Sequence, residues 1–182
     1  HHKAERERLT AVTLTLRRGE IVSIAGVSGN GQVALAELLC GTRVAASGTI
    51  RLLGEALRPS PSWLVGQGVA RIPEDRHAVG VIGDLPVWEN AVSERLRSRA
   101  FSRGAWVRRQ AARDHADAVI AHFDVRGGGA DVPARSLSGD NMQKLILGRA
   151  LLAPPGTAAG TVPSLIVAHQ PTWGLDVGAV SY

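Results

Sequence analysis

A glycine-rich loop between an apolar segment and a helix constrains this chain more than any other feature of its sequence. Residues 21–25 are β-branched and almost continuously apolar, which predicts a strand covered on both faces. Gly-Val-Ser-Gly-Asn-Gly follows at 26–31, and the leucines of residues 32–39 then predict a helix that stops at Gly41. Backbone N–H groups of such a loop and the dipole of the helix attract anions, so this order predicts a phosphate site.

The loop fits the dinucleotide-binding fingerprint G-x-G-x-x-A at residues 29–34, with Glu55 ending a later strand about twenty residues further on. A tight turn that binds nothing is less favoured, because three glycines in six residues exceed what a turn needs. The loop also fits the P-loop pattern G-x-x-x-x-G-K-[ST] in its glycines, and by itself it does not decide between the two nucleotide-binding motifs.

The P-loop interpretation departs from its pattern at the two positions that handle charge and metal. Gln32 stands where the pattern has lysine, and Val33 stands where it has the hydroxyl that binds Mg²⁺. The nucleotide-binding residues of this interpretation are Gly26, Gly29, Asn30, Gly31, Gln32 and Val33.

The composition is that of a globular domain, and its modest excess of basic residues is compatible with partners that carry phosphate, such as nucleotides, nucleic acids or anionic lipids. The chain has 182 residues, 45% of them hydrophobic and 20% charged, with a net charge of +5. One cysteine excludes an internal disulfide framework and favours a reducing compartment. No segment has the roughly 18 apolar residues of a membrane span. His1 and His2 resemble the end of a purification tag, and the remaining histidines are scattered without ligand spacing, so no metal site is expected from them.

Strands and helices alternate along the chain, which predicts an α/β fold with a mostly helical middle section. Polar and apolar residues alternate at 9–16, which predicts a half-buried strand. A tight turn is expected at 17–20, and further strands are expected at 49–53 and 69–72. A helix is expected over 106–123. Later in the chain, Ser138 is expected to cap a helix whose apolar stripe is Met142, Leu145, Ile146 and Leu152, and a buried strand is expected at 165–168.

Two distant segments favour the P-loop interpretation, because they have no role in a dinucleotide fold. They are Leu-Ser-Gly-Asp-Asn-Met-Gln-Lys at 137–144 and the segment 165–176, which contains Pro-Thr-Trp-Gly-Leu-Asp. In order and spacing they resemble the signature, Walker B and D-loop of an ABC-type ATPase domain. With Gly-Val-Ser-Gly-Asn-Gly-Gln and Ile-Pro-Glu-Asp-Arg at 72–76, the chain resembles the second half of the duplicated ATPase subunit of bacterial importers for simple sugars and nucleosides.

This resemblance implies an ABC-type P-loop NTPase fold with a mostly parallel sheet core, N-terminal antiparallel strands and a helical subdomain. It implies a single nucleotide-binding domain over residues 3–182, with the core at about 9–85 and 153–182 and the helical subdomain at about 86–152. The chain ends at Tyr182, before the switch histidine of the family, so we expect a fragment or a domain trimmed at its ends.

The resemblance also implies two ATPase domains facing head to tail, each completing the other's ATP site. His169 and Gln170 stand where Walker B normally ends in Asp-Glu, and Glu74 lies in the Q-loop region, where it either restores a carboxylate or is a solvated acid beside Arg76. A neutral amide is not a general base, so this domain's own site is expected to be impaired. The signature, which would act at the partner's ATP site, consists of Leu137, Ser138, Gly139, Asp140 and Asn141. The D-loop consists of Gly174, Leu175 and Asp176, and Trp173 before it stands where the family often has arginine.

The expected function is that of a degenerate ATP-binding half of an importer. It would bind ATP, and Mg²⁺ would bind weakly or not at all at its own site. The implied partners are a second ATPase half, membrane-spanning permease subunits and, indirectly, a solute-binding protein, which places the domain in the cytoplasm on the inner face of the plasma membrane. The alternatives are a non-hydrolysing regulatory or scaffold domain and a DNA-associated ATPase. No nucleic acid is expected, because the arginines between Arg95 and Arg113 lack the aromatic interleaving that single-strand binders use and fit a solvated helical face.

Overall fold

The computed structural model describes residues 9–157 and 163–172. The chain divides into two compact units, His1–Val69 and Ala70–Tyr182. The partition into an ATPase core and a helical subdomain over 86–152 stays a prediction.

Within the described residues 9–69, the N-terminal unit contains two short helices and a hairpin. Its elements are α1 (Gln32–Leu39), β1 (Arg51–Leu52), β2 (Glu55–Ala56) and α2 (Pro61–Gly66). The two strands pair antiparallel. Leu53 and Gly54, between them, both have positive φ, which is the backbone of the tight hairpin turn that matches strand twist. Ser60 caps α2 by accepting the Trp63 N–H at 3.4 Å. The helix predicted after the glycine loop is confirmed as α1, and the strand expected at 49–53 is limited to the two residues of β1.

The two strands expected before the glycine loop do not form. Residues 9–16 and 21–25 are irregular and pair with no segment of the described chain, and Ile21 is 95% exposed. An alternating or apolar pattern describes the faces of a strand but does not supply the neighbouring backbone that satisfies its N–H and C=O groups. The antiparallel strands of this unit are instead β1 and β2. The turn at 17–20 is confirmed by the Glu20 N–H donating to the Arg17 carbonyl at 3.1 Å.

In the described part of the C-terminal unit, residues 70–157 and 163–172, helices are the predominant regular structure. Its elements are β3 (Val69–Ile72), which starts at the boundary, a π-helical turn (Arg76–Gly80), α3 (Val87–Val92), a 3₁₀ turn (Ser93–Arg95), β4 (Ser102–Arg103), β5 (Trp106–Val107), α4 (Arg109–His122), a 3₁₀ turn (Ala134–Ser136), α5 (Gly139–Leu151) and β6 (Leu165–Ala168). The described strands form three two-stranded sheets, β1–β2, β3–β6 and β4–β5, rather than one continuous sheet. The helix expected over 106–123 starts only at Arg109, because residues 102–107 form a hairpin.

The core of this unit lies where α3, α4 and α5 pack together. The fully buried side chains include Val87, Val92, Phe101, Val119, Leu145 and Ile146. Gly148 of α5 lies so close to α4 that an ideal Cβ there would come within 2.5 Å of Val119 Cγ1 and 2.9 Å of Phe123 Cδ2. Close-packed interiors tolerate little added volume, so this contact fixes the position of α5. No helix among residues 9–157 and 163–172 has the length and apolarity to cross a bilayer.

Candidate functional site

The glycine loop has the backbone that only glycine adopts readily. Gly29 and Gly31 have φ of 89° and 97°, in the left-handed region. Gly31 stands immediately before α1, and no side chain caps the first turn of that helix. The loop therefore enters the helix as its sequence predicts, with the N-terminal N–H groups of α1 left without a side-chain acceptor.

Gln32 folds back across the inside of this loop. Its Oε1 accepts the Asn30 N–H at 3.1 Å, and its Nε2 donates to the Val27 carbonyl at 3.1 Å. An ideal Cβ on Gly26 would stand 2.8 Å from Gln32 Nε2, so the glycine leaves room for the amide. An N–H that could donate to a phosphate is thus already bonded within the chain. The sequence identified Gln32 as a lysine replacement but could not show that its amide closes the loop.

The loop lacks the side-chain hydroxyl that the P-loop pattern offers to Mg²⁺. Mg²⁺ takes oxygen ligands, and Val33 offers none at the position where the P-loop pattern has a hydroxyl. Among the residues that the structure describes, no group of three or more His, Cys, Asp or Glu side chains could hold a metal ion.

Glu74 and His169 meet at the end of the β3–β6 pair. The His169 N–H donates to the Ile72 carbonyl at 2.9 Å, which sets residue 169 beside the chain that leaves β3. His169 Nδ1 then lies 3.3 Å from Glu74 Oε2. Gln170, the next residue, is exposed and has a φ of 45°. Glu74, which the sequence left open as either a restored carboxylate or a solvated acid beside Arg76, is therefore in contact with the histidine that replaces the Walker B aspartate.

The segment 137–141 is built as a capped helix start. Ser138 Oγ accepts the Asn141 N–H at 3.4 Å and the Asn141 Nδ2 amide at 2.7 Å, while Asn141 Oδ1 accepts the Arg126 N–H at 2.6 Å. Leu137 is 5% exposed and anchors the segment to the core. The predicted cap is confirmed, and Asn141 links it to the loop that follows α4.

Arg76 adds a positive charge to this helix start. An ideal Cβ on Gly139 would lie 2.9 Å from Arg76 Nη2 and 3.0 Å from Nε, so the guanidinium packs directly over the glycine. Asp75 orders the turn that carries Arg76 by accepting the His77 and Ala78 N–H groups at 3.0 and 2.8 Å. The sequence contained Arg76 in the Ile-Pro-Glu-Asp-Arg string, but only the fold brings it to Gly139. Asp140, in the first helical turn, stays partly exposed.

The body of α5 holds this helix start in place. Met142, Leu145 and Ile146 are buried as their spacing predicts, and Leu152, which follows the helix, is half-buried. Gln143 Nε2 donates to the Pro171 carbonyl at 2.8 Å. Lys144 bonds Asp124, and hydrogen bonds from Arg126 and Lys144 lower the pKa of that carboxyl. The D-loop residues Gly174, Leu175 and Asp176, with Trp173, lie outside the described residues.

Comparison with known proteins places the chain in a family. The family model described as "ABC transporter" matches residues 9–157. The curated relatives include the glucose import ATP-binding protein of Haloferax volcanii, 44% identical over 96% of this chain and 31% of its own length. They also include the guanosine import ATP-binding protein of Bacillus subtilis, 37% identical over 97% of this chain and 33% of its own length. The chain therefore spans about a third of the length of these relatives.

Solved structures show the same fold. A dimeric ATP-binding cassette in a post-hydrolysis state, bound to ADP and Pi, superposes on 92% of this chain with a TM-score of 0.70 at 23% identity, covering 68% of that chain. A nucleotide-free ATP-binding cassette from an ABC transporter superposes on 85% of this chain with a TM-score of 0.63 at 20% identity, covering 59% of that chain. The ABC-type P-loop NTPase fold predicted from the motifs is confirmed.

Proposed function

The chain belongs to the ABC transporter family, and from that premise we propose that it is an ATP-binding domain of an importer for simple sugars or nucleosides whose main role is to complete an ATP site held by a second domain. The substrate class rests on the relatives, whose names describe import of glucose, guanosine, nucleosides and ribose. Because the chain spans about a third of those proteins, the second domain is part of the proposal.

The observation that carries the proposal is an asymmetry between the two phosphate-facing segments. In the glycine loop, the neutral Gln32 amide bonds the Asn30 N–H and occupies the space next to Gly26. At the signature, Ser138 caps a supported helix and the Arg76 guanidinium lies against Gly139. A helix N-terminus with a hydroxyl and a cation beside it attracts an anion, whereas a loop closed by an amide does not.

The domain's own site is expected to bind ATP weakly and to hydrolyse it poorly. Val33 supplies no oxygen to Mg²⁺, and Gln170 is a neutral amide that cannot take a proton from water. Glu74 is the remaining carboxylate, and its side chain pairs with His169. We therefore assign Glu74, His169 and Gln170 to a degenerate catalytic position with Mg²⁺ weak or absent.

At the signature, Ser138, Gly139 and Arg76 would face the γ-phosphate of ATP held by the partner domain. Asp140 opposes this contact, since two unit charges at ~4 Å in a medium of effective dielectric ~20 repel by about 4 kcal/mol, less where the carboxylate turns to solvent. Arg76 offsets that repulsion because it brings the opposite charge to the same helix start.

The partners follow from the same premise. A second ATPase half supplies the intact glycine loop, and permease subunits hold the pair at the cytoplasmic face of the plasma membrane. A solute-binding protein contributes indirectly by delivering the solute to the permease.

The test is ATP turnover of the complete transporter with single substitutions in this domain. Ser138→Arg fills the space that a phosphate needs and is expected to abolish turnover. Ser136→Arg, at an exposed serine two residues earlier, is the matched control and is expected to turn over normally. Gln32→Ala removes the amide that closes this domain's own loop and is expected to change turnover less than about tenfold.

Equal damage from Gln32→Ala and Ser138→Arg would show two equivalent sites and would overturn the assignment of a degenerate half. Normal turnover with Ser138→Arg would instead support a regulatory or scaffold domain that does not complete an ATP site. Assembly of each variant is checked by co-purification with the permease, so that loss of the complex is not read as loss of turnover.

A further inference from the structure

The β4–β5 hairpin carries an exposed aromatic side chain on a rigid base. Phe101, at the foot of the hairpin, is fully buried, and its ring lies 5.1 Å from that of His115. The Arg108 N–H donates to the Phe101 carbonyl at 2.8 Å, and Ser102 Oγ donates to the Leu96 carbonyl at 2.6 Å. These hydrogen bonds and the buried Phe101 hold the base of the hairpin against the core, while Trp106 near its tip is 82% exposed.

Trp106 lies outside the core. Among the tryptophans that the structure describes, Trp88 is the one buried in the core, at 8% exposed. Trp106 pairs with Arg103 across the hairpin. Residues directly opposite each other in an antiparallel pair point to the same face, so an arginine and a tryptophan share one exposed face.

The segment around the hairpin is strongly basic. No Asp or Glu occurs between Arg95 and Arg113. Arg95 and Arg108 donate to backbone carbonyls, and Arg113 pairs with Asp131 at 2.8 Å. The remaining arginines of the segment are exposed and, within the described part of the chain, form no ion pair: Arg97, Arg99, Arg103 and Arg109.

We propose that the β4–β5 hairpin, through Trp106 and Arg103 and with the exposed arginines that flank it in sequence, binds directly to a bilayer surface that contains anionic phospholipids. Tryptophan favours the boundary between headgroups and acyl chains, where its ring is half apolar and its N–H stays hydrated. Arginine pairs with lipid phosphates through its planar fork of donors. Exposed Val107 and Leu96, at 39% and 36%, add apolar surface to the same segment.

A bilayer fits this surface better than a nucleic acid does. Proteins that bind single strands stack successive bases on several aromatic side chains, and Trp106 is the single aromatic residue exposed in this segment. One tryptophan flanked by unpaired arginines matches a plane of phosphates above an apolar layer. The inference goes beyond the proposed ATPase role, because the contact needs neither nucleotide nor permease.

The experiment is sedimentation of the full chain with vesicles. Vesicles of phosphatidylcholine alone are compared with vesicles of equal parts phosphatidylcholine and phosphatidylglycerol, at low and high salt. The chain is expected to bind only the anionic vesicles, and binding is expected to fall as salt screens the arginines. A blue shift of tryptophan emission on binding is expected in the wild type and is expected to be lost in Trp106→Ala.

The variants separate the hairpin from the overall charge. Arg99→Ala with Arg103→Ala is expected to weaken partitioning on the order of 20-fold, about fivefold for each arginine near an anionic surface. Arg17→Ala with Arg18→Ala, at an exposed pair in the other unit, removes the same charge and is expected to change partitioning less than about twofold. Circular dichroism of each variant confirms that it is folded.

Three results would overturn the inference. One is equal binding to neutral and anionic vesicles, or to neither. Another is an equal loss in the Arg17 and Arg18 variant, which would make net charge and not the hairpin responsible. The third is a competing oligonucleotide that displaces the chain from anionic vesicles at stoichiometric amounts, which would assign the surface to nucleic acid.

Discussion

The glycine loop at 26–31 and the helix start at 138–141 are both phosphate-binding patterns, yet they are built on different supports. The loop precedes α1, of whose residues Ala34 is the buried one, and follows a segment whose apolar side chains are exposed. The helix start begins α5, which is buried along its length against α3 and α4. The glycine loop is bridged by its own glutamine, whereas the helix start is supported by the packing of α5 against the core.

The difference shows that glycine spacing and pre-organisation are separate requirements. Gly29 and Gly31 supply the backbone conformation of a phosphate loop, but the Gln32 amide satisfies a donor that the phosphate would use. Ser138 and Gly139 lie on a helix whose position is set by distant contacts, and those contacts bring Arg76 to it. A site made of exposed N–H groups needs a scaffold that keeps them free as well as glycines that allow them to converge.

The largest expected effect comes from the buried charge that anchors α5. Arg149 is 5% exposed, donates to the Gly80 carbonyl at 2.9 Å and lies 3.6 Å from Glu94. Burial lowers its pKa, while Glu94 acts in the opposite direction. Arg149→Met is expected to reduce the free energy of unfolding by about 3 kcal/mol, because it leaves a buried carbonyl and a carboxylate with fewer partners.

Urea unfolding measures this loss, with Arg97→Met as the control at an exposed arginine. A loss in Arg149→Met no larger than that of the control would mean that the signature helix does not depend on the buried charge cluster. The contrast between the two phosphate-facing segments would then lose its physical basis.

The next effect compares one glycine from each unit. At Gly148 an added Cβ meets Val119 and Phe123 within 3 Å, whereas at Gly66 nothing lies within 4 Å. Gly148→Ala is expected to destabilise the protein by about 1–2 kcal/mol through overpacking. Gly66→Ala is expected to be neutral or to stabilise by up to about 1 kcal/mol, because alanine favours the helix. Thermal unfolding followed by circular dichroism distinguishes them, and equal effects would contradict the packing difference.

A pH dependence is expected from the core of the C-terminal unit, where His115 of α4 is buried against Phe101. Burial, with Arg95 as a secondary cause, lowers the pKa of His115 to about 4. His115 therefore binds a proton near pH 6.5 in the unfolded chain but only near pH 4 in the folded chain. Stability is full above pH 6.5 and falls between pH 6.5 and 4. The expected loss at pH 5 is about 1–2 kcal/mol. His115→Phe keeps the ring against Phe101 and should flatten this part of the stability profile.

The smallest expected effect is on the loop itself. Gln32→Lys restores the cation of the P-loop pattern and removes the amide that accepts the Asn30 N–H. ATP is expected to bind about tenfold more tightly, as one added charged hydrogen bond implies. Titration calorimetry with and without Mg²⁺ measures it, and the metal is expected to add little because Val33 is unchanged. Tight, Mg²⁺-dependent binding by the wild type would show that the loop was never closed.

Local signals predicted the elements whose stabilising contacts lie nearby in sequence. The cap at Ser138 and the helix at Gln32–Leu39 each follow from residues within a few positions. The strand at Leu165–Ala168 forms as predicted but pairs with the distant β3, and it is not the buried strand expected, since Ile166 is 47% exposed. Residues 9–16 and 21–25 show the limit, since a strand is completed by a partner that its own pattern does not specify. The fold class could nonetheless be predicted, because the four motifs at 26–32, 72–76, 137–144 and 165–176 together restrict the topology more than any single element does.

The residue types at the motif positions, such as glutamine at 32, valine at 33 and glutamine at 170, were determined by the sequence alone. The tertiary structure decided which groups meet them: Arg76 against Gly139, Glu74 against His169, and Trp106 outside the core. Composition sets the chemistry that a chain can offer. Which charges and rings meet is a matter of packing between residues far apart in sequence, and no local pattern encodes those distances.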